Sequence, residues 1–126
     1  MIHIDSDVFT YDAATDMSKE NFVVTGVDDS APVIAALERA SERFMRVDST
    51  GTEHASYDSL SAAVVDGLDS PSYVSDPEAT DLGVEVYVDC NGVIDDDMAR
   101  TMRQILTEEL TAAGYSGTIS AVNPSD

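Results

Sequence analysis

The run Val84-Glu85-Val86-Tyr87-Val88-Asp89-Cys90-Asn91-Gly92-Val93-Ile94-Asp95-Asp96-Asp97-Met98 decides the fold class. Its first six residues alternate apolar with polar, the period-two pattern of a strand with one buried face. Asn91-Gly92 then turns the chain. Asp95, Asp96 and Asp97 stand where the positive end of a helix favours carboxylates. Met98, Met102, Ile105, Leu106, Leu110 and Ala113 recur at helical spacing, which predicts a long amphipathic helix ending at Gly114. Thr118 to Val122 reads as a closing strand, so the second half is a strand–helix–strand unit.

Working back from that unit, Ile2-His3-Ile4, Val8-Phe9-Thr10-Tyr11 and Asn21-Phe22-Val23-Val24-Thr25 are strand-forming, with Asp12 to Glu20 between them as a polar turn. Asp29 or Ser30 is placed to cap a helix whose first turn holds Pro32, where a missing N–H costs nothing. Val33, Leu37, Ala40 and Phe44 form its apolar stripe. Arg39, Arg43 and Arg46 fall on a neighbouring face, with Glu42 within one turn of Arg39 and Arg46. Arg46-Val47-Asp48 predicts a short strand, and Ser49-Thr50-Gly51-Thr52 a turn.

Tyr57 to Leu68 reads as a second helix, capped by Asp58 or Ser59, lined by Leu60, Val64 and Leu68, and stopped by Gly67. Residues 69–81, with two prolines and three serines, read as an exposed loop. The expected fold is a single α+β domain over residues 1–126. It is a ferredoxin-like or related two-layer sandwich, with a mainly antiparallel sheet and two or three helices on one face.

The composition narrows function more by exclusion than by motif. The chain has 126 residues, 25 acids against six bases, and a formal charge of −19. That balance opposes binding to nucleic acid, whose phosphates need Lys or Arg, and opposes anionic membrane surfaces. Met1 to Ser30 shows no basic start followed by an apolar run, and no stretch approaches a membrane span, so the expected location is cytoplasmic. The single Cys90 makes no internal disulfide and no multi-cysteine zinc site.

The charge is uneven. Residues 47–97 carry thirteen acids and no Lys or Arg, whereas residues 30–46 carry two acids and three arginines.

No chemical motif survives a check of its required ligands. Asp89 to Asp95 is similar to the middle of an EF-hand loop, but places Tyr87 and Met98 where the first and twelfth ligands belong. Asp95, Asp96 and Asp97 diverge around a helix start, and capping accounts for them. His3 and His54 have no sequence partner signature, and no phosphate-binding glycine loop is present. No metal, cofactor or catalytic residue is therefore expected.

The acidic stretch on the second helix and the following segment is the remaining candidate. Tyr57, Asp58, Asp66, Asp69, Tyr73, Asp76, Glu78 and Asp81 combine aromatic rings with carboxylates, a surface suited to an Arg- or Lys-rich protein. The expectation is a small protein-binding module that neutralises or docks onto a basic partner, as an immunity protein or inhibitor does with a toxin or nuclease. Two other readings compete. The acidity belongs to life at high salt in a ligand-binding or regulatory domain, or reflects a lysine-poor composition alone. A small enzyme is the third class, and it requires His3 or His54 to meet a carboxylate or Cys90 in space.

Overall fold

β1 (Ile2–Asp12) and β2 (Met17–Thr25) form an antiparallel hairpin, with a bulge between Asp7 and Thr10. α1 (Ser30–Phe44) and α2 (Tyr57–Val65) follow, then β3 (Pro71–Val74), β4 (Glu78–Thr80), β5 (Gly83–Asn91), α3 (Asp96–Leu110) and β6 (Ile119–Ala121). The computed structural model describes residues 1–92 and 96–121, with backbone alone for 7–12. Val93, Ile94, Asp95 and Val122, named above for the turn, the cap and the last strand, lie outside the described residues.

The strands make one sheet in the order β3-β5-β2-β1-β6, and β4 shares with β3 the side of β5 that faces away from β2. Every pairing is antiparallel except β1 with β6, which run parallel. The chain is thus α+β with a mixed six-stranded sheet and three helices. Its element order departs from the β-α-β-β-α-β order of the ferredoxin-like unit, because a hairpin precedes the first helix.

The period-two reading of β5 holds along its length: Val84, Val86, Val88 and Cys90 are buried and their neighbours are not. They share one core with Phe22 and Val24 of β2, Val33, Leu37 and Phe44 of α1, and Met102, Leu106 and Leu110 of α3. The rings of Phe22 and Phe44 lie 5.6 Å apart in a tilted arrangement that ties β2 to the end of α1. Asp29 caps α1, its side chain accepting from the Ala31 N–H.

Four segments differ from the sequence reading. The polar turn expected over Asp12 to Glu20 is shorter, because β2 already begins at Met17. Ser18 and Glu20 point inward in line with Phe22 and Val24, so polar residues disguise a buried strand face. Ser18 donates to the Gly92 carbonyl at 2.6 Å, and Ser6 donates to Glu20.

The loop expected over 69–81 contains β3 and β4, both recruited by the open side of β5. Pro71 opens β3, a position where its missing N–H is tolerated. The third difference is the cap of α2, which is Ser56, accepting from the Ser59 N–H, and not Asp58 or Ser59. That helix ends at Val65 and buries only Leu60. Val64, expected on its apolar side, is exposed.

Arg46-Val47-Asp48 makes no full strand. A single bridge, Val47 with Glu53, closes the turn between them. Gly51 at its tip has φ of +85°, and a Cβ there would stand 2.6 Å from the Asp97 carbonyl oxygen. The turn docks on α3 through Thr101, whose hydroxyl donates to the Gly51 carbonyl at 2.6 Å.

The arginines of α1 pair across elements, not with Glu42. Arg43 grips Glu53 with Nε and Nη2 at 2.8 and 2.7 Å, and also reaches Glu108 at 2.8 Å and Glu109 at 3.0 Å on α3. Arg39 adds a second bond to Glu109 at 3.1 Å. Two parallel charge-assisted bonds on one carboxylate are stronger and more directional than a single exposed ion pair. The Glu53 hydrogen bond, first, then Glu108 and Glu109, raise the Arg43 guanidinium above its ordinary value despite partial burial. In turn Arg43 holds the Glu53 carboxyl below its ordinary 4.5.

Arg43→Met should therefore cost about 2 kcal/mol in urea unfolding, because it strands carboxylates from two elements at once. A loss under about 0.5 kcal/mol would show that the clamp is merely a surface decoration. Glu53 also sets a pH signature. With its folded-state value depressed, its contribution is complete above 4.5 and disappears as pH falls through the lowered value. The difference in melting temperature between the native chain and Glu53→Gln should be present at about pH 7 and narrow progressively as the pH falls below 4.5.

Candidate functional site

The outer face of the sheet, opposite α1 and α3, carries the residues that alternate with the core set: Lys19 and Asn21 of β2, and Glu85, Tyr87 and Asp89 of β5. Antiparallel register sets Lys19 opposite Asp89, Asn21 opposite Tyr87, and Val23 opposite Glu85. Along the side of β5, the chain from Tyr73 to Thr80 forms a rim. Floor and rim enclose an open cleft of about 500 Å³ lined by Lys19, Asn21, Tyr73, Ser75, Asp76, Glu78, Thr80, Glu85 and Tyr87.

Ser75 explains how the rim is held. It is buried between β3 and β4, and its N–H donates to the Tyr87 carbonyl at 2.9 Å. Its hydroxyl accepts from the Tyr87 N–H at 2.8 Å. One serine thus supplies both hydrogen bonds that a continuous strand would have given to Tyr87. The chain then passes through Asp76 and Pro77, unpaired, before pairing again as β4.

Aromatic and charged groups meet on this floor. Tyr73 and Tyr87 stack tilted with centroids 5.8 Å apart, and Lys19 Nζ lies 4.0 Å from the centre of the Tyr87 ring. Glu85 accepts from Asn21 at 3.1 Å. Its carboxyl is held below the usual range by the Thr80 hydroxyl first and Asn21 second. Tyr87 first, then partial desolvation, with Asp76 and Asp89 adding less, push the Tyr73 phenol above its ordinary value. Three carboxylates, Asp76, Glu78 and Glu85, face a single ammonium in the cleft.

Of the eight residues chosen from the sequence, Tyr73, Asp76 and Glu78 are brought together here. Tyr57 and Asp58 sit exposed on the first turn of α2, and Asp66 follows its end. Asp69 is exposed, its carbonyl accepting from the Ser49 N–H and its N–H donating to the Ser49 hydroxyl, and Asp81 lies in the turn joining β4 to β5. The acidic stretch 47–97 is therefore not one face. Two of its members, Asp48 and Glu53, are spent inside the fold.

Lys19, Asn21, Ser75, Thr80, Glu85 and Tyr87 join the cleft with no sequence motif to mark them. The outward alternation of Glu85, Tyr87 and Asp89 was the available signal. Lys19 was hidden by taking its strand for a turn.

A second constellation lies in the turn before α2. Asp48 Oδ1 accepts from the Thr50 N–H at 2.8 Å, the Thr50 hydroxyl at 2.6 Å and the Thr52 N–H at 3.3 Å. Its Oδ2 stands 2.6 Å from His54 Nε2, and His54 Nδ1 stands 2.7 Å from Ser59 Oγ. Burial pushes the Asp48 carboxyl up, but the bonds from Thr50, His54 and Thr52 together outweigh it and hold the group ionised, below 3.8. An ionised carboxylate only accepts, so Nε2 carries a proton, and in the neutral ring Nδ1 accepts from Ser59. His3, the other histidine, stands 3.0 Å from Asp5 on the outer face of β1.

Cys90 is buried in the core, where desolvation first, and Asp89, Asp69 and Glu20 after it, push its thiol up to about 12. It is chemically quiet. Among the described residues no three His, Cys, Asp or Glu side chains converge as a metal site, and no helix is long and apolar enough to cross a membrane.

Ser75→Ala removes the acceptor for the Tyr87 N–H and should destabilise the chain by about 1–2 kcal/mol in denaturant. It should also loosen the rim, read as faster hydrogen exchange of the β3 and β4 amides while the helices keep theirs. Unchanged exchange there would mean that Ser75 is not what holds the rim. The chain matches no protein-family model, no curated protein and no solved structure.

Proposed function

We propose that this chain is an acidic protein-binding module whose open sheet face receives cationic side chains of a basic partner. The observation that carries the reading is Lys19 on Tyr87. The only lysine of the chain lies with its ammonium 4.0 Å from an aromatic face, in a cleft that also holds Asp76, Glu78 and Glu85. A surface that seats its own ammonium in this way has the chemistry to seat an arginine or lysine from outside.

The net charge of −19 would steer a basic protein toward the chain, and the carboxylates of the cleft would then hold its side chains. Neutralising a toxin or nuclease in the cytoplasm, in the manner of an immunity protein, is the concrete form of this reading. The architecture that goes with it is a two-layer sandwich, with α1 and α3 behind the sheet and the open face in front.

The test compares two triple variants in binding an arginine-rich peptide, followed by fluorescence anisotropy. Asp76→Asn/Glu78→Gln/Glu85→Gln should weaken binding about tenfold and flatten its salt dependence. Asp58→Asn/Asp66→Asn/Asp69→Asn, the same change in charge on α2 and beyond, should weaken it much less. Equal losses in both would assign binding to diffuse charge and sink the cleft.

The exposed carboxylates of Asp58, Asp66 and Asp81, which make no ion pair among the described residues, favour a second reading, a domain adapted to high salt. Thermal melts from about 0.05 M to about 3 M KCl separate the two. A chain that folds cooperatively at the low end and gains little from salt has acidity free for a partner. One that gains tens of degrees owes its acidity to its surroundings.

A further inference from the structure

The Asp48–His54–Ser59 relay is independent of the cleft, and its geometry carries chemistry that docking does not need. Each member has the burial its role requires. The Asp48 side chain is 3% exposed, the His54 side chain 12%, and Ser59 opens to solvent on the first turn of α2. Asp48 is fixed by three bonds on one oxygen, which leaves the other to orient the ring. The backbone supports the ring as well: the His54 N–H donates to the Arg46 carbonyl at 2.8 Å, and Arg46 reaches back to the His54 carbonyl.

We propose that Ser59 is an activated nucleophile, with His54 as its general base and Asp48 as the residue that sets the ring's tautomer and direction. The roles match those of an acid–histidine–serine triad, with the two ring nitrogens exchanged between partners. Such sites are recognised by geometry and role, not by position in the chain. The substrate class that fits is a small activated carboxylic ester, because Ser59 stands on an exposed turn and not in a deep pocket.

In the first step Ser59 Oγ attacks the acyl carbon and its proton passes to His54 Nδ1. The ester C–O bond breaks, and the leaving alkoxide takes that proton to depart as the alcohol. Water, deprotonated by the same nitrogen, then cleaves the acyl-serine to the acid and restores the hydroxyl. Ser56, three residues away, is a natural control. Its hydroxyl is occupied as the cap of α2, accepting from the Ser59 N–H at 3.2 Å.

The experiment exposes the full folded chain to a fluorophosphonate probe and follows the adduct by intact mass and peptide mapping. In that reaction Ser59 Oγ bonds to phosphorus, the P–F bond breaks, fluoride leaves, and His54 takes the proton. The expected result is one adduct per chain, located at Ser59 and missing in Ser59→Ala. His54→Gln, with its fold checked by circular dichroism, should label roughly 100-fold more slowly. Labelling at an unchanged rate in that variant overturns the proposal. So does a folded native chain in which Ser59 reacts no faster than Ser56 or Ser61. That internal comparison decides the matter even if His54→Gln fails to fold.

Discussion

Everything in this molecule hangs on β5. It is bonded along its whole length to β2 on one side and to β3 and β4 on the other, and its inner residues enter the core shared by α1 and α3. Because side chains on a strand alternate, the same nine residues that put Val84, Val86, Val88 and Cys90 into that core must put Glu85, Tyr87 and Asp89 on the opposite face. Core and candidate surface are two sides of one pleat. A one-residue slip of β5 would bury carboxylates and expose valines together, so the core that stabilises the fold also sets the register of the cleft.

The legible parts of the sequence were those governed by local periodicity. β5, α1 and α3 each repeat their apolar residues at a spacing that admits one reading, and the cap at Asp29 was visible as well. What escaped were features decided by distant partners. β3 and β4 have only four and three residues and lie in a segment whose two prolines and three serines do not announce strands. They exist because β5 has a side to satisfy. Ser18 and Glu20 looked like a turn because their inward direction follows from the register with β5, not from their own polarity.

The candidate site was correspondingly half legible. Tyr73, Asp76 and Glu78 could be chosen for composition, but their floor of Lys19, Glu85 and Tyr87 comes from strands far apart in sequence. Asp48, His54 and Ser59 lie within twelve residues of one another, yet nothing in their spacing signals convergence. Only the turn closed by Val47 and Glu53, with Gly51 against α3, folds the segment back on itself. The bases follow the same logic. In the sequence Arg43 and Arg39 stand near Glu42, and it is α3 that supplies Glu108 and Glu109, so much of the chain's scarce positive charge is consumed in holding helices together.

The interrupted rim has a consequence for life at high concentration. A long regular strand on the border of a sheet offers a row of free amides and carbonyls on which another chain can grow. Here the border beside β5 is cut into a four-residue and a three-residue piece, with Ser75 turned inward and Pro77 between them. No uninterrupted template remains on that flank. When salt screens the mutual repulsion that otherwise keeps such acidic molecules apart, this broken border still denies incoming chains a place to add, so resistance to fibre growth there is built into the backbone and does not depend on charge.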